Sequence, residues 1–115
     1  LVFGLLVTTQ QSCYYDNEVY LYGAPPCDTS AVTYALTIEP VITARCFPCH
    51  KADVGDGGVV VEGYDALLPY VQDGSLMCVV KHEAGCSAMP KNSSKLTDCQ
   101  IAQLETWINQ GSPNN

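Results

Sequence analysis

Basic residues are scarce in this chain of 115 residues. Lys and Arg together number 5 against 12 Asp and Glu, a formal charge of -7. Such a surface repels phosphate backbones and argues against nucleic acid as a partner. Long apolar runs are missing too. None approaches the roughly 18 residues of a membrane-crossing helix. Charged residues make up only 15% against 47% hydrophobic, which excludes a disordered chain. The length leaves room for one small domain and not for two full cores. Histidine is confined to His50 and His82. Cysteine is the exception to this scarcity. Seven in so short a chain point to an oxidising compartment, a bound metal, or both.

The first residues, Leu1-Val2-Phe3-Gly4-Leu5-Leu6-Val7, have no Met or basic residue ahead of them. They read as the apolar core of a secretory signal without its charged start. Ser12-Cys13 after this stretch resembles a bacterial lipoprotein signal, whose Cys is lipidated and becomes the new N-terminus. Gln10 and Gln11 depart from the usual residues there. An ordinary signal peptide that leaves Cys13 as a thiol is the alternative, and a plain apolar strand is a third. The expected division is a truncated leader at 1–12, a tether at 13–26 and one folded domain at 27–115. The tether holds Tyr14, Tyr15, Tyr20 and Tyr22, then Gly23-Ala24-Pro25-Pro26.

The domain reads as all-α. Thr37 is the expected cap of a first helix, with Pro40 in its tolerated first turn and Ile38, Val41 and Ile42 on one face. Gly55-Asp56-Gly57-Gly58 reads as a plain turn, since no strand–loop–Lys pattern surrounds it and the charge is wrong for phosphate. Val59-Val60-Val61 is a short extended run. Tyr64 to Tyr70 reads as a brief helix broken near Pro69. Ser75 to Lys81 is apolar, helix or strand. The last helix is the clearest element. Thr97-Asp98-Cys99-Gln100 is a capping box, Ile101, Leu104, Trp107 and Ile108 form one stripe, and Gly111 and Pro113 end it. Trp107 reads as core.

Cys46-Phe47-Pro48-Cys49-His50 is C-x-x-C-H, the attachment signature of c-type haem. Two thiols three residues apart on a helical turn reach the two vinyl groups on one porphyrin edge. His50 then lies under the iron as the proximal ligand. Downstream, Met89-Pro90 sits in the loop-like stretch 85–92, where a thioether can close the sixth position.

The order of parts resembles a class I c-type cytochrome: first helix, C-x-x-C-H, Met-Pro loop, last helix with an aromatic. It is most similar to the small monohaem lipoprotein-type domains of Gram-negative bacteria. Shared stretches are Cys27-Asp28-Thr29-Ser30, Met89-Pro90-Lys91-Asn92 and Ile108-Asn109-Gln110-Gly111-Ser112-Pro113-Asn114-Asn115. The resemblance implies a cytochrome c-like fold: N- and C-terminal helices crossing, with short middle helices and long loops around one covalent haem c. It implies thioether bonds at Cys46 and Cys49, His50 as proximal ligand and Met89 as distal ligand. His82 is the alternative sixth ligand, or a surface residue beside Lys81 and Glu83. One departure stands out. Many such cytochromes place a Pro soon after C-x-x-C-H, and its carbonyl orients the His. Here no Pro follows until Pro69, so what holds the His50 tautomer is left open.

With Cys13 for lipid and Cys46 and Cys49 for haem, four cysteines remain, and four allow three pairings. The crossing helices implied by the resemblance favour Cys27–Cys99, and Cys78–Cys86 would then brace the start of the Met loop. Loop entropy makes these contribute about 4 and about 2.5 kcal/mol. A structural zinc site from Cys46, Cys49, His82 and Cys86 is the rival from another class. It explains neither the Met-Pro loop nor the signal-like start.

The resulting expectation is a monohaem one-electron carrier, not an enzyme, acting alone or as subunit or partner of a larger oxidoreductase. It would lie in the periplasm or outer cell envelope, tethered to a membrane by lipid on Cys13. Its redox partners would carry basic docking patches. Assembly of its units into larger arrays is a further option. A haem-based ligand sensor is the alternative, and needs an open or labile sixth position. Expected pocket residues are Phe47, Ile42, Val60, Leu67, Leu68, Leu76, Leu104 and Trp107.

Overall fold

The computed structural model describes residues 26–115. The leader at 1–12, the lipid site at Cys13 and all of the 13–26 tether but Pro26 lie outside the described residues. Among the described residues the domain is all-α, and no strand forms.

A π-helical segment, Tyr34–Ile38, runs straight into α1, Glu39–Arg45. The wide turn has a cause in Pro40. Its ring has no N–H and crowds the carbonyl four residues back, so a tight α turn is disfavoured. Glu39 N–H reaches Tyr34 O instead. The cap is Thr33, not Thr37, so the first helical element starts four residues earlier than the sequence pattern led us to expect. Thr33 Oγ1 accepts from Leu36 N–H, and Thr37 Oγ1 accepts from Thr33 N–H. The other two amides of this first turn are met by Asn115. Its Oδ1 accepts from Tyr34 N–H at 3.0 Å and its carbonyl accepts from Ala35 N–H at 2.9 Å. No donor of the turn is left orphaned.

After a bend at Cys46, α2 covers Phe47–His50. Pro48 removes one helical hydrogen bond there, which separates α2 from α1. A 3₁₀ turn, Asp56–Gly58, leads to α3, Tyr64–Gln72, then α4, Ser75–Val80, and α5, Asp98–Asn109. Pro69 does not break α3, which runs on to Gln72. Pro69 and Asp65 are both exposed, so the carbonyl that loses its donor meets water. The undecided segment at 75–81 is helical. Asp73 Oδ1 accepts from Ser75 N–H at 2.8 Å at its start, and the Ser75 hydroxyl first, together with this amide, holds the Asp73 carboxyl below its ordinary pKa.

The core joins Ile38 and Ile42 of the first helices to Leu67, Val80, Leu104 and Trp107, all essentially inaccessible to solvent. α5 packs on the π-helical segment and on α4. Its capping box is complete: Thr97 Oγ1 accepts from Gln100 N–H and Gln100 Oε1 accepts from Thr97 N–H. Trp107 donates from Nε1 to Pro113 O at 2.9 Å, and its ring meets Tyr34 and Tyr64. Disulfides join Cys27 to Cys99 and Cys78 to Cys86, with Cα–Cα separations of 5.3 and 5.9 Å. The first staples the chain ahead of the first helix to the first turn of α5. The second spans the C-terminal half of α4 and the loop that follows.

Candidate functional site

Cys46 lies at the bend between α1 and α2, and Cys49 and His50 lie in α2 itself. The Cys46 carbonyl accepts from both Cys49 N–H, 3.2 Å, and His50 N–H, 2.9 Å. The two thiols are therefore one helical turn apart and share a face. Among the described residues they are the free cysteines, Cys49 exposed and Cys46 partly covered. Burial pushes the Cys46 thiol up to about 11, against the pull of the Arg45 charge. At neutral pH it stays protonated.

The glycine turn returns the chain to His50. Gly55, Gly57 and Gly58 take φ of 56°, 65° and 74°, left-handed values that side chains other than Gly resist. Val61 N–H then donates to His50 O at 2.9 Å, and His50 Nδ1 lies 3.2 Å from Val59 O. A carbonyl only accepts, so Nδ1 carries the proton and Nε2 keeps a lone pair. This bond answers what holds the tautomer in the absence of an early Pro. Sequence reasoning missed Val59 because a backbone acceptor has no side-chain signature. The glycine cluster was the available signal.

Met89 sits in the loop between α4 and α5. Its N–H donates to Val79 O at 3.0 Å, and its carbonyl lies 2.9 Å from His82 Nε2. His82 is exposed, with its ring on the Met89 main chain.

Cys46, Cys49, His50 and Met89 all line one cavity of about 550 Å³. A second cavity of about 200 Å³ adjoins it, shares Cys46, His50, Val80 and Met89, and has walls of Val59, Val61, Tyr70, Leu76 and Val79. Arg45 and Lys91 add two cations to the larger cavity. Arg45 bonds the Ser94 carbonyl through Nη2, while its Nε is buried without a partner.

Of the expected pocket residues, Leu76 lines the smaller of these two cavities. Ile42, Leu67, Leu104 and Trp107 belong to the sealed core instead. Phe47, Val60 and Leu68 are also absent from the cavity walls. The zinc set is not assembled. Cys86 is bonded to Cys78, and among the described residues no three His, Cys, Asp or Glu side chains converge. No family model, curated protein or solved structure matches the chain.

Proposed function

We propose that this chain is a monohaem c-type cytochrome, a one-electron carrier with His50 and Met89 as axial ligands and Cys46 and Cys49 as thioether attachments. One observation carries the reading: all four residues line one cavity, and His50 does so with Nδ1 committed to Val59 O. A cavity near 550 Å³ falls within the usual range of about 300–1,000 Å³ for ligand sites. The unpartnered Arg45 Nε and the Lys91 ammonium fit a group that carries carboxylates, as haem propionates do.

Bound there, haem would supply an iron that cycles between Fe(III) and Fe(II). The protein's part is to fix both axial side chains. Val59 orients the His50 ring and leaves Nε2 free, a second-sphere contact of the kind that tunes ligand basicity. Val79 O and His82 hold the Met89 backbone, which weighs against the labile sixth position that a sensor needs. With His50 and Met89 both holding the iron, no position would remain there for substrate, so we read the chain as a carrier, not an enzyme. Val59, Val61, Leu76, Val79 and Val80 would keep water from the centre and raise its potential. The all-α architecture, with α5 against the π-helical segment that opens the domain, is in keeping with a cytochrome c-like fold. Two disulfides favour an oxidising compartment such as the periplasm. The charge of -7 favours basic partner surfaces and salt-sensitive docking.

The test is expression with a haem-attachment system in an oxidising compartment, followed by peptide mass analysis. The peptide that holds residues 46–50 should gain one haem, and Cys46→Ser with Cys49→Ser should abolish the gain. A wild-type peptide with two unmodified thiols would overturn the reading.

A further inference from the structure

We propose that His82 is a positioning residue for Met89, whose ring clamps the thioether loop onto the end of α4. The inference rests on the haem reading above.

The backbone at His82 is the first indication. α4 ends in a reversal in which His82 N–H donates to Val79 O, 3.3 Å, and Glu83 N–H donates to Cys78 O, 3.0 Å. That pair of bonds is the Schellman pattern, and its left-handed residue is usually Gly. Here it is His82, at φ 55°. A side chain held in this region is strained, and such strain persists where the side chain has a task. His82 is exposed, so core packing is not that task.

The second indication is where the ring goes. Nε2 lies 2.9 Å from Met89 O, and since the carbonyl can only accept, Nε2 is the donor. Met89 N–H meanwhile donates to Val79 O, the same carbonyl that receives His82 N–H. Both main-chain polar groups of Met89 are thus held by the last turn of α4 and by His82, two residues beyond its end. The Cys78–Cys86 bond closes the intervening loop near its base. The left-handed turn aims the imidazole across the loop, and the imidazole holds the ligand's backbone. In this arrangement His82 acts on the iron through Met89 and does not touch it.

The experiment uses the haem-loaded full chain, with His82→Gly, His82→Gln and Met89→Ala beside the wild type. Three quantities are read: the far-red absorbance of sulfur-ligated Fe(III), CO binding by the reduced protein, and the urea midpoint. His82→Gly removes the strained side chain, so its urea midpoint should hold or rise. Its far-red band should nonetheless fall by half or more, and CO binding should increase severalfold. His82→Gln can donate from its amide to the same carbonyl and should recover much of the band. A merely structural role would move stability and band together. A His82→Gly protein with wild-type band and CO exclusion would overturn this inference alone. Loss of the sixth ligand in His82→Gly but not in Met89→Ala would make His82 the ligand and overturn it as well. A wild type that takes up no haem would overturn the parent reading together with this one.

Discussion

His50 and Val59 are joined across the loop that separates them, the ring Nδ1–H of one donating to the carbonyl of the other at 3.2 Å. The bond from Val61 N–H to His50 O, 2.9 Å, doubles the tie. Histidine chemistry is thereby decided by main-chain geometry, and that geometry depends on glycines in left-handed conformations.

Gly55 gives the most direct access to this device. A Cβ there would meet Val60 Cγ2 at 3.6 Å, an ordinary contact, so the cost of Gly55→Ala is set by its φ of 56°. The expected loss is about 1 kcal/mol of stability in urea unfolding. Nitrogen-15 spectra of the His50 ring should show a protonated Nδ1 in the wild type and faster exchange of that proton in the variant. Unchanged exchange alongside the stability loss would mean that the turn does not hold the ring.

The two disulfides should differ in weight. Replacing Cys27 and Cys99 by Ser opens a loop with a sequence separation of 72, and replacing Cys78 and Cys86 opens one of 8. Loop entropy predicts losses of about 4 and about 2.5 kcal/mol. The smaller loss should carry the larger effect on Met89, whose loop it closes. Urea midpoints read the first difference, and the far-red band reads the second.

Cys46 predicts an alkaline weakness confined to the haem-free chain. Its thiol is pushed from an ordinary 9.0 up to about 11 by burial. An acid whose folded value is raised stabilises the fold fully below the unfolded value, and that stability is lost as pH rises through the folded one. Stability should therefore decline between pH 9 and pH 11, by about 2 kcal/mol, in the protein without haem. Cys46→Ala should remove the slope. Haem attachment should remove it too, since a thioether sulfur has no proton to lose. Denaturant titrations at the two ends of this window test the sign.

Different parts of this molecule were legible to different degrees. α5 could be read from Thr97 to Gly111 because its cap, stripe and stop are all local signals. Cys46, Cys49 and His50 stand out in the sequence by their spacing alone, and the structure brings all three to one cavity. The start of the first helix was misjudged because Thr33 and Thr37 are both capping residue types, and only the contact with Asn115, far along the chain, selects Thr33. Pro69 reads as a breaker in the sequence, although a proline on the exposed side of a helix can sit inside it. Ile42 and Val80 are both core residues at 2% exposure, and only tertiary packing makes Val80 border the cavities as well while Ile42 does not. The contact of His82 with Met89 O is hidden from the sequence because a surface position does not reveal a bond to a backbone carbonyl.

Ligation of a haem iron by His50 and Met89 can be read from the visible spectrum of the purified, haem-loaded chain, oxidised and then reduced with dithionite. The account predicts sharp α and β bands on reduction. In the oxidised protein it predicts the weak far-red band of Met sulfur on Fe(III), lost in Met89→Ala. Absence of haem absorbance from a host able to attach it, or haem bands with no far-red feature in the wild type, would contradict it.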